Sequence, residues 1–305
     1  MDNGMTNVDV IILGSGPAGL QAALHASRSK VTVAVLGRVK KSSLYRAHVE
    51  NYCCIDGVMS GREILDTGRK QAEKAGAFFL NIDVVDFERS EDGRILATLE
   101  SGETLTGSTL ILAMGISRNR LNVPGEKELL GKGVSYCVDC DANFFQGQPV
   151  AVVGDESAAF YGALRLLMTA SVVYLIYKEP EVSDRLLHQV QQSGVRRYPG
   201  RRVKTILGDS CVRSVELDDG QTIEIAGIFI ELGAKGALEL ALKLDVALDA
   251  DFKYIAVNKR QETNIAGVFA AGDICGPPWQ MAKAVGEGCV AGMEAAACAK
   301  RLKSM

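Results

Sequence analysis

The stretch Tyr136-Cys137-Val138-Asp139-Cys140-Asp141 carries the chemistry that residue type and spacing define most sharply. Two cysteines separated by two residues can close a small disulfide or lie open as a dithiol, so the pair can carry two electrons. The thiolate is the attacking form, and exchange with another disulfide runs through a mixed disulfide. Asp139 works against that, because a neighbouring carboxylate raises thiol pKa values and slows attack. The same spacing is also half a zinc site. No second Cys-x-x-Cys and no paired His stands at a suitable distance to complete one.

An electron pair needs a source, and turns on either side of the dithiol point to a flavin. Residues 8–13 form a short apolar run that reads as a buried strand. It leads into Gly14-Ser15-Gly16-Pro17-Ala18-Gly19, then an Ala-rich helical stretch over 20–29 and a second strand over 31–36. A glycine turn between strand and helix lets bare backbone approach a pyrophosphate, and the helix start supplies N–H groups and positive potential. The acid that would hold a ribose after the second strand is missing: Leu36 and Gly37 stand there, so that contact is expected from elsewhere. Downstream, Gly267-Val268-Phe269-Ala270-Ala271-Gly272-Asp273 reads as a strand ending in an acidic turn. Asp273 is placed to bond a ribityl hydroxyl. Pro277-Pro278-Trp279-Gln280-Met281-Ala282 is expected to open a long small-residue helix running to about Lys300, with the prolines at its start. Its N-terminus would face the flavin edge where reduction puts negative charge.

Composition sets the outer limits. The 305 residues suffice for two domains, and 47% hydrophobic with 23% charged residues is ordinary for a globular protein. A net charge of −3 gives no basic footprint for nucleic acid. No apolar run reaches membrane-spanning length, and the polar first seven residues are no signal peptide, so a cytoplasmic location is expected. In a reducing compartment eight cysteines are not a disulfide scaffold.

The chain then reads as α/β: two tandem Rossmann-like nucleotide-binding domains, the second inserted into the first. After a polar loop over 42–56 and a helix over 61–75, strands are expected at 78–85, 95–100, 103–105 and 109–113, the last ending in Ala113-Met114-Gly115. A second pass follows: strand 149–153, turn 154–159, helix 160–169, strand 171–177 and, later, strand 227–232. The expected domains are 1–116 with 246–305, and 117–245.

These residues resemble the low-molecular-weight thioredoxin reductase family over nearly the whole chain. The matching motifs are the Gly14–Gly19 turn, Glu50-Asn51-Tyr52, Ala113-Met114-Gly115, the dithiol followed by Asp141, Gly272-Asp273, Trp279-Gln280-Met281-Ala282 and Gly286-Glu287-Gly288-Cys289. The resemblance implies non-covalent FAD, a homodimer, a dithiol carried on the inserted domain, and a thioredoxin-like protein as substrate. It also implies that Cys140 meets the flavin, that Cys137 attacks the partner disulfide, and that Asp141 gives and takes the proton.

The inserted domain departs from the family. Where a pyridine-nucleotide turn would read Gly-x-Gly-x-x-Gly or Gly-x-Gly-x-x-Ala, this chain has Gly154-Asp155-Glu156-Ser157-Ala158-Ala159. A bulky carboxylate replaces the middle glycine and Asp155 adds a second negative charge. The family's basic cluster falls at Tyr177-Lys178-Glu179, and its Gly-x-x-Pro-Asn at Gly233-Ala234-Lys235-Gly236-Ala237. The expectation is a donor other than NADPH: ferredoxin, or another flavin, by resemblance to pyridine-nucleotide-independent members. The old cleft is then without nucleotide or holds a second flavin. The alternatives are an NAD(P)H-dependent enzyme in which Glu179 shifts preference to NADH, and a flavin-bound redox sensor. Cys53, Cys54, Cys211, Cys275, Cys289 and Cys298 read as packing residues, with a vicinal Cys53–Cys54 pair as the other reading. Trp279 reads equally as a flavin neighbour or a core aromatic.

Overall fold

A computed structural model describes residues 7–53, 55–115, 120–232, 237–250 and 253–304, with backbone alone at 139–140 and 237–239. In chain order its elements are β1 (Asn7–Leu13), α1 (Pro17–Arg28), β2 (Val33–Leu36), β3 (His48–Val49), β4 (Met59–Ser60), α2 (Gly61–Lys74), β5 (Phe78–Leu80), β6 (Val84–Arg89), β7 (Ile95–Leu99) and β8 (Thr104–Leu112). There follow β9 (Val134–Ser135), α3 (Val138–Asp141), β10 (Pro149–Val153), α4 (Ser157–Leu166), β11 (Val172–Tyr177), α5 (Asp184–Gln192), β12 (Arg196–Pro199), β13 (Val203–Gly208), β14 (Val212–Leu217), β15 (Thr222–Glu224), β16 (Gly227–Ile230) and α6 (Ala237–Leu242). The chain closes with β17 (Val268–Ala270) and α7 (Met281–Lys303). Two compact units emerge, 1–116 with 240–305, and 117–239.

The first unit is built on a seven-stranded sheet, β5-β2-β1-β8-β7-β6, with β17 beside β8. β1 pairs parallel with β2 and β8, and β17 runs parallel to the end of β8. β1 is buried on both faces, as central strands of parallel sheets are, which is why it reads as an unbroken apolar run. Two sequence expectations change here. The stretch 78–85 is two strands, β5 on the parallel edge and β6 in an antiparallel pair with β7. The strands expected at 103–105 and 109–113 are one, β8. Gly107 lets it continue, because a Cβ there would stand 2.7 Å from the Ile11 side chain.

Helix α7 starts at Met281, with Gln280 as its N-cap, so Pro277 and Pro278 precede the helix instead of opening it. Its small residues have a packing reason: a Cβ on Gly288 would stand 2.2 Å from the Ala18 carbonyl oxygen, and one on Gly292 2.4 Å from that of Ala22. The backbones of α1 and α7 touch. In an exposed helix Gly→Ala stabilises by up to ~1 kcal/mol. Gly292→Ala is instead expected to destabilise by ~1–3 kcal/mol, since neither backbone can retreat from a packed core. Its urea midpoint should fall below wild type; a rise would mean the helices part readily.

The second unit holds a five-stranded parallel sheet, β12-β11-β10-β16-β9, and a separate antiparallel sheet of β13, β14 and β15. Along β10 the side chains alternate between two cores. Val150 and Val152 join Phe160, Ala163, Leu166 and Phe229, while Ala151 and Val153 join Val203, Ile206, Val215 and Ile228. Helix α4 begins at Ser157, three residues before the sequence pattern suggested, because Ser157, Ala158 and Ala159 are buried against this sheet.

Candidate active site

In the first unit the residues expected to hold a dinucleotide converge. The Gly14 Cα faces the end of β8: an added Cβ would lie 2.3 Å from the Ala113 carbonyl oxygen, and one on Gly19 1.8 Å from that of Gly14. Protein packing alone therefore demands Gly14 and Gly19. Gly16 is different. Its φ of −83° suits any residue, and the nearest atom to an added Cβ is Ser42 Oγ at 3.3 Å. No backbone atom crowds it, only the Ser42 side chain, which would have to give by a few tenths of an ångström, and no side chain caps α1. Bare backbone beside open helix N–H groups is what a pyrophosphate needs, so the turn fits FAD.

The other expected contacts gather from distant sequence. Gly272, with φ of +89°, would bring a Cβ to 3.0 Å from the Ala18 Cβ, which sets the Asp273 turn beside the start of α1. The Asn51 side-chain amide donates to Gln280 Oε1 at 3.3 Å, and Met281 packs against the Leu20, Leu44 and Leu65 cluster. The Asp273 turn is locked in place. Glu287 accepts from the Gly272 N–H at 2.8 Å, while the Lys283 ammonium donates to the Gly272 and Gly276 carbonyls and pairs with Glu287. Trp279 is 43% exposed, with its ring 6.5 Å from that of Tyr254, so it is not a core aromatic. Ser15 is buried and donates to the Gly37 carbonyl. Gly115 has φ of +67° and space around its Cα. Ala282 is exposed.

Where a ribose acid would stand after β2, Arg38 follows Gly37. Its guanidinium bonds Asp83 and Glu100, both almost wholly buried, and Lys41 also pairs with Asp83. Burial works against the Arg38 charge, but the two carboxylates outweigh it and hold its pKa above the ordinary value. Sequence reading missed this cluster, because its cations and carboxylates lie more than 40 residues apart.

The cysteines need correction. Cys53 and Cys211 are exposed, so neither is a packing residue. Cys54 lies outside the described residues. Cys275 does pack: burial first, then the Glu287 carboxylate, push its thiol up to about 12, which keeps it protonated and inert.

In the second unit Cys137 is disulfide-bonded. The side chains of Asp139 and Cys140 lie outside the described residues. Asp141 Oδ2 accepts from the Ser135 hydroxyl at 2.7 Å, and Ser135 Oγ accepts the Cys137 N–H at 3.0 Å. The Val138 N–H donates to the buried Glu231 carboxylate at 3.0 Å. Just before the pair, the Tyr136 hydroxyl donates to Glu126 at 2.7 Å, and the same carboxylate takes the Leu121 and Asn122 N–H groups. Burial, then Glu126, push the Tyr136 hydroxyl up to about 12. Ser135, Glu126 and Glu231 escaped the sequence reading. Glu231 had a signal, an acid ending the apolar run Ile228-Phe229-Ile230.

The degenerate turn of this unit is tied across. A Cβ on Gly154 would lie 2.0 Å from the Glu231 carbonyl oxygen, so the glycine serves packing. Asp155 Oδ1 accepts the Lys178 N–H at 2.6 Å, the Asp155 carbonyl accepts the Glu181 N–H at 2.6 Å, and Glu156 forms a β-bridge with Glu181. The loop 233–236 lies outside the described residues.

The mixed α/β fold with its parallel sheet and FAD-type turn defines a flavin-binding oxidoreductase. The chain belongs to the pyridine nucleotide-disulphide oxidoreductase family, whose model matches residues 8–288. It is 34% identical over 300 residues to a thioredoxin reductase of Aquifex aeolicus, covering 93% of this chain and 91% of the relative. It is also 34% identical over 307 residues to that of Mycolicibacterium smegmatis, 97% of each. Among solved structures it is similar to the atypical thioredoxin reductase TRi of Desulfovibrio vulgaris (TM-score 0.81, 32% identity, 96% of this chain and 98% of that one). A ferredoxin-flavin thioredoxin reductase of Clostridium acetobutylicum is similar too (TM-score 0.68, 30% identity, 98% and 99%). Within the family the chain is a flavin disulfide oxidoreductase of the thioredoxin reductase type, and the family implies FAD. Among the described residues no helix is long and apolar enough to cross a membrane.

If the turn holds FAD, Gly16→Glu is expected to cut the purified protein's flavin content to about a tenth or less. Only the Ser42 side chain stands near the new Cβ, so the melting temperature measured without added FAD should fall far less than the flavin content. A mutant yellow as wild type would place the pyrophosphate elsewhere.

Proposed function

We propose that this enzyme reduces a thioredoxin-like protein disulfide through Cys137 and Cys140, drawing electrons not from NADPH but from ferredoxin or another flavin. One observation carries the donor reading: the turn that would cradle a nicotinamide dinucleotide is strapped to the segment after β11. The Asp155 carboxylate is spent on the Lys178 N–H, and the Glu156–Glu181 bridge ties the turn to that segment, leaving its backbone less open to a dinucleotide. The name of the Clostridium relative, a ferredoxin-flavin thioredoxin reductase, supports the same choice.

The roles follow from the residues. Gly14, Ser15, Gly16, Pro17, Ala18 and Gly19 would hold the FAD pyrophosphate, and Asp273 the ribityl chain. Asn51, Ala113, Gly115, Gly272, Trp279, Gln280, Met281 and Ala282 would surround the rest. Bound FAD supplies a centre that takes electrons singly or in pairs and delivers a pair to a disulfide. The Cys137 thiolate attacks the partner disulfide, forming a mixed disulfide and releasing the partner's first thiolate. The Cys140 thiolate then displaces the second and closes the Cys137–Cys140 bond. Asp141, held by Ser135, moves the proton. The unit 117–239 is read as a nucleotide-binding fold inserted into the FAD-binding one, its cleft holding no nicotinamide nucleotide. A cytoplasmic site suits the reduced Cys275, Cys289 and Cys298; a homodimer rests on family resemblance.

One observation favours NAD(P)H instead. The Arg201 N–H donates to the Tyr177 carbonyl, which brings the Arg201-Arg202 pair beside the end of β11. The Arg201 guanidinium, however, is engaged with Asp219 at 3.1 Å. Turnover of a thioredoxin disulfide separates the readings: reduced ferredoxin should drive it and both nicotinamides fail, whereas comparable rates with NADPH would refute the proposal.

A further inference from the structure

We propose that Glu231 is a positioning residue for the dithiol, whose carboxylate holds the Cys137-Val138 backbone and whose charge keeps the Cys137 thiol from ionising early. This rests on the reading that Cys137 is half of the redox pair. Two successive backbone donors of the dithiol loop each have their own side-chain acceptor, Ser135 Oγ for Cys137 and the Glu231 carboxylate for Val138. Val138 is 3% exposed and Glu231 7%, so a bond lost there would leave a buried N–H orphaned. Glu231 cannot drift. Its own N–H donates to the Val153 carbonyl at 2.9 Å, and its carbonyl oxygen lies against Gly154. The anchor is therefore the end of the parallel sheet, where β16 meets β10.

A carboxylate one peptide from the attacking sulfur opposes a second negative charge there. It acts with Asp141, which Ser135 holds, and with Glu126 behind Tyr136. Helix α4 packs on Val138 at Gly162, with Glu156 at its N-cap and an exposed Arg165 in its last turn. The acidic surroundings explain how a chain with Asp139 inside its dithiol is poised: they hold the pair as a reducing couple that gives up electrons readily, at the expense of thiolate.

The test uses full-length, FAD-loaded protein carrying Glu231→Gln or Glu231→Leu. Glutamine still accepts the Val138 N–H but has no charge; leucine loses both. Alkylation of Cys137 by iodoacetamide is followed across pH by mass spectrometry of its peptide, and the dithiol–disulfide equilibrium is read in dithiothreitol buffers. For Glu231→Gln the alkylation profile should move to lower pH, with about tenfold faster reaction near neutrality. Read at a pH above the thiol pKa of both proteins, the equilibrium should shift about tenfold toward the dithiol, about 30 mV, with FAD content and melting temperature unchanged. Glu231→Leu should shift both the same way and also melt lower. A Glu231→Gln protein matching wild type in both readouts would overturn the proposal. Were Cys137→Ser to turn over normally, the dithiol reading itself would fall, a result independent of either Glu231 variant.

Discussion

Mixed anaerobically with micromolar NADPH or NADH, the FAD-loaded protein is expected to keep its flavin absorbance, while reduced ferredoxin bleaches it. The expected contrast in rate is at least about a thousandfold, because a site that must bury a pyrophosphate against carboxylates forfeits several kcal/mol of binding. Three features of the second unit act together. Glu156 replaces the glycine that would leave the backbone bare, Asp155 bonds the Lys178 N–H at 2.6 Å, and Glu181 bridges to the turn. Charge and steric closure are separable. Glu156→Gly with Glu179→Arg removes one carboxylate and restores one cation, so a gain of NADPH reduction would identify a decayed nucleotide cleft. Adding Asp155→Ala, which also releases the strap at Lys178, should increase that gain. Rapid stoichiometric bleaching of the unmutated protein by either nicotinamide would return it to the NAD(P)H-dependent class.

Replacing either cysteine of the pair should abolish disulfide reduction, to about a thousandth of wild type or less, while FAD content stays intact. The two variants should differ in what they trap. In Cys140→Ser the Cys137 thiolate still attacks the partner disulfide, but nothing resolves the product, so a covalent one-to-one adduct with a thioredoxin accumulates and dissolves in dithiothreitol. In Cys137→Ser no adduct forms. The position of Cys137 beside Ser135 and Glu231 makes it the sulfur with a fixed backbone. Adducts on Cys137→Ser but not on Cys140→Ser would exchange the two roles, and full activity in both would remove the dithiol from the path.

Much of this was legible in the residues, for local reasons. A strand buried on both faces must be apolar, so 8–13, 149–153 and 171–177 announce themselves as β1, β10 and β11. The family-level reading rests on short contiguous motifs, and the match over 8–288 agrees with it. A glycine that must meet backbone or ligand is visible as a glycine, although the sequence cannot say which: only the packed structure separates Gly14 and Gly19, crowded by backbone, from Gly16, which meets only the Ser42 side chain. Registers that depend on partners were misread. Nothing local indicates that β8 runs unbroken through Gly107, or that 78–85 breaks into two strands serving opposite edges of the sheet.

What tertiary structure alone decided is the company each polar group keeps. Arg38 meets Asp83 and Glu100, Ser135 meets Asp141, and Glu231 meets Val138 across separations of up to 93 residues. Sequence patterns register hydrophobic period because burial repeats with the backbone. A buried charge has no period; it is placed wherever the fold brings a donor to it, and its partner is named only when the chain has closed.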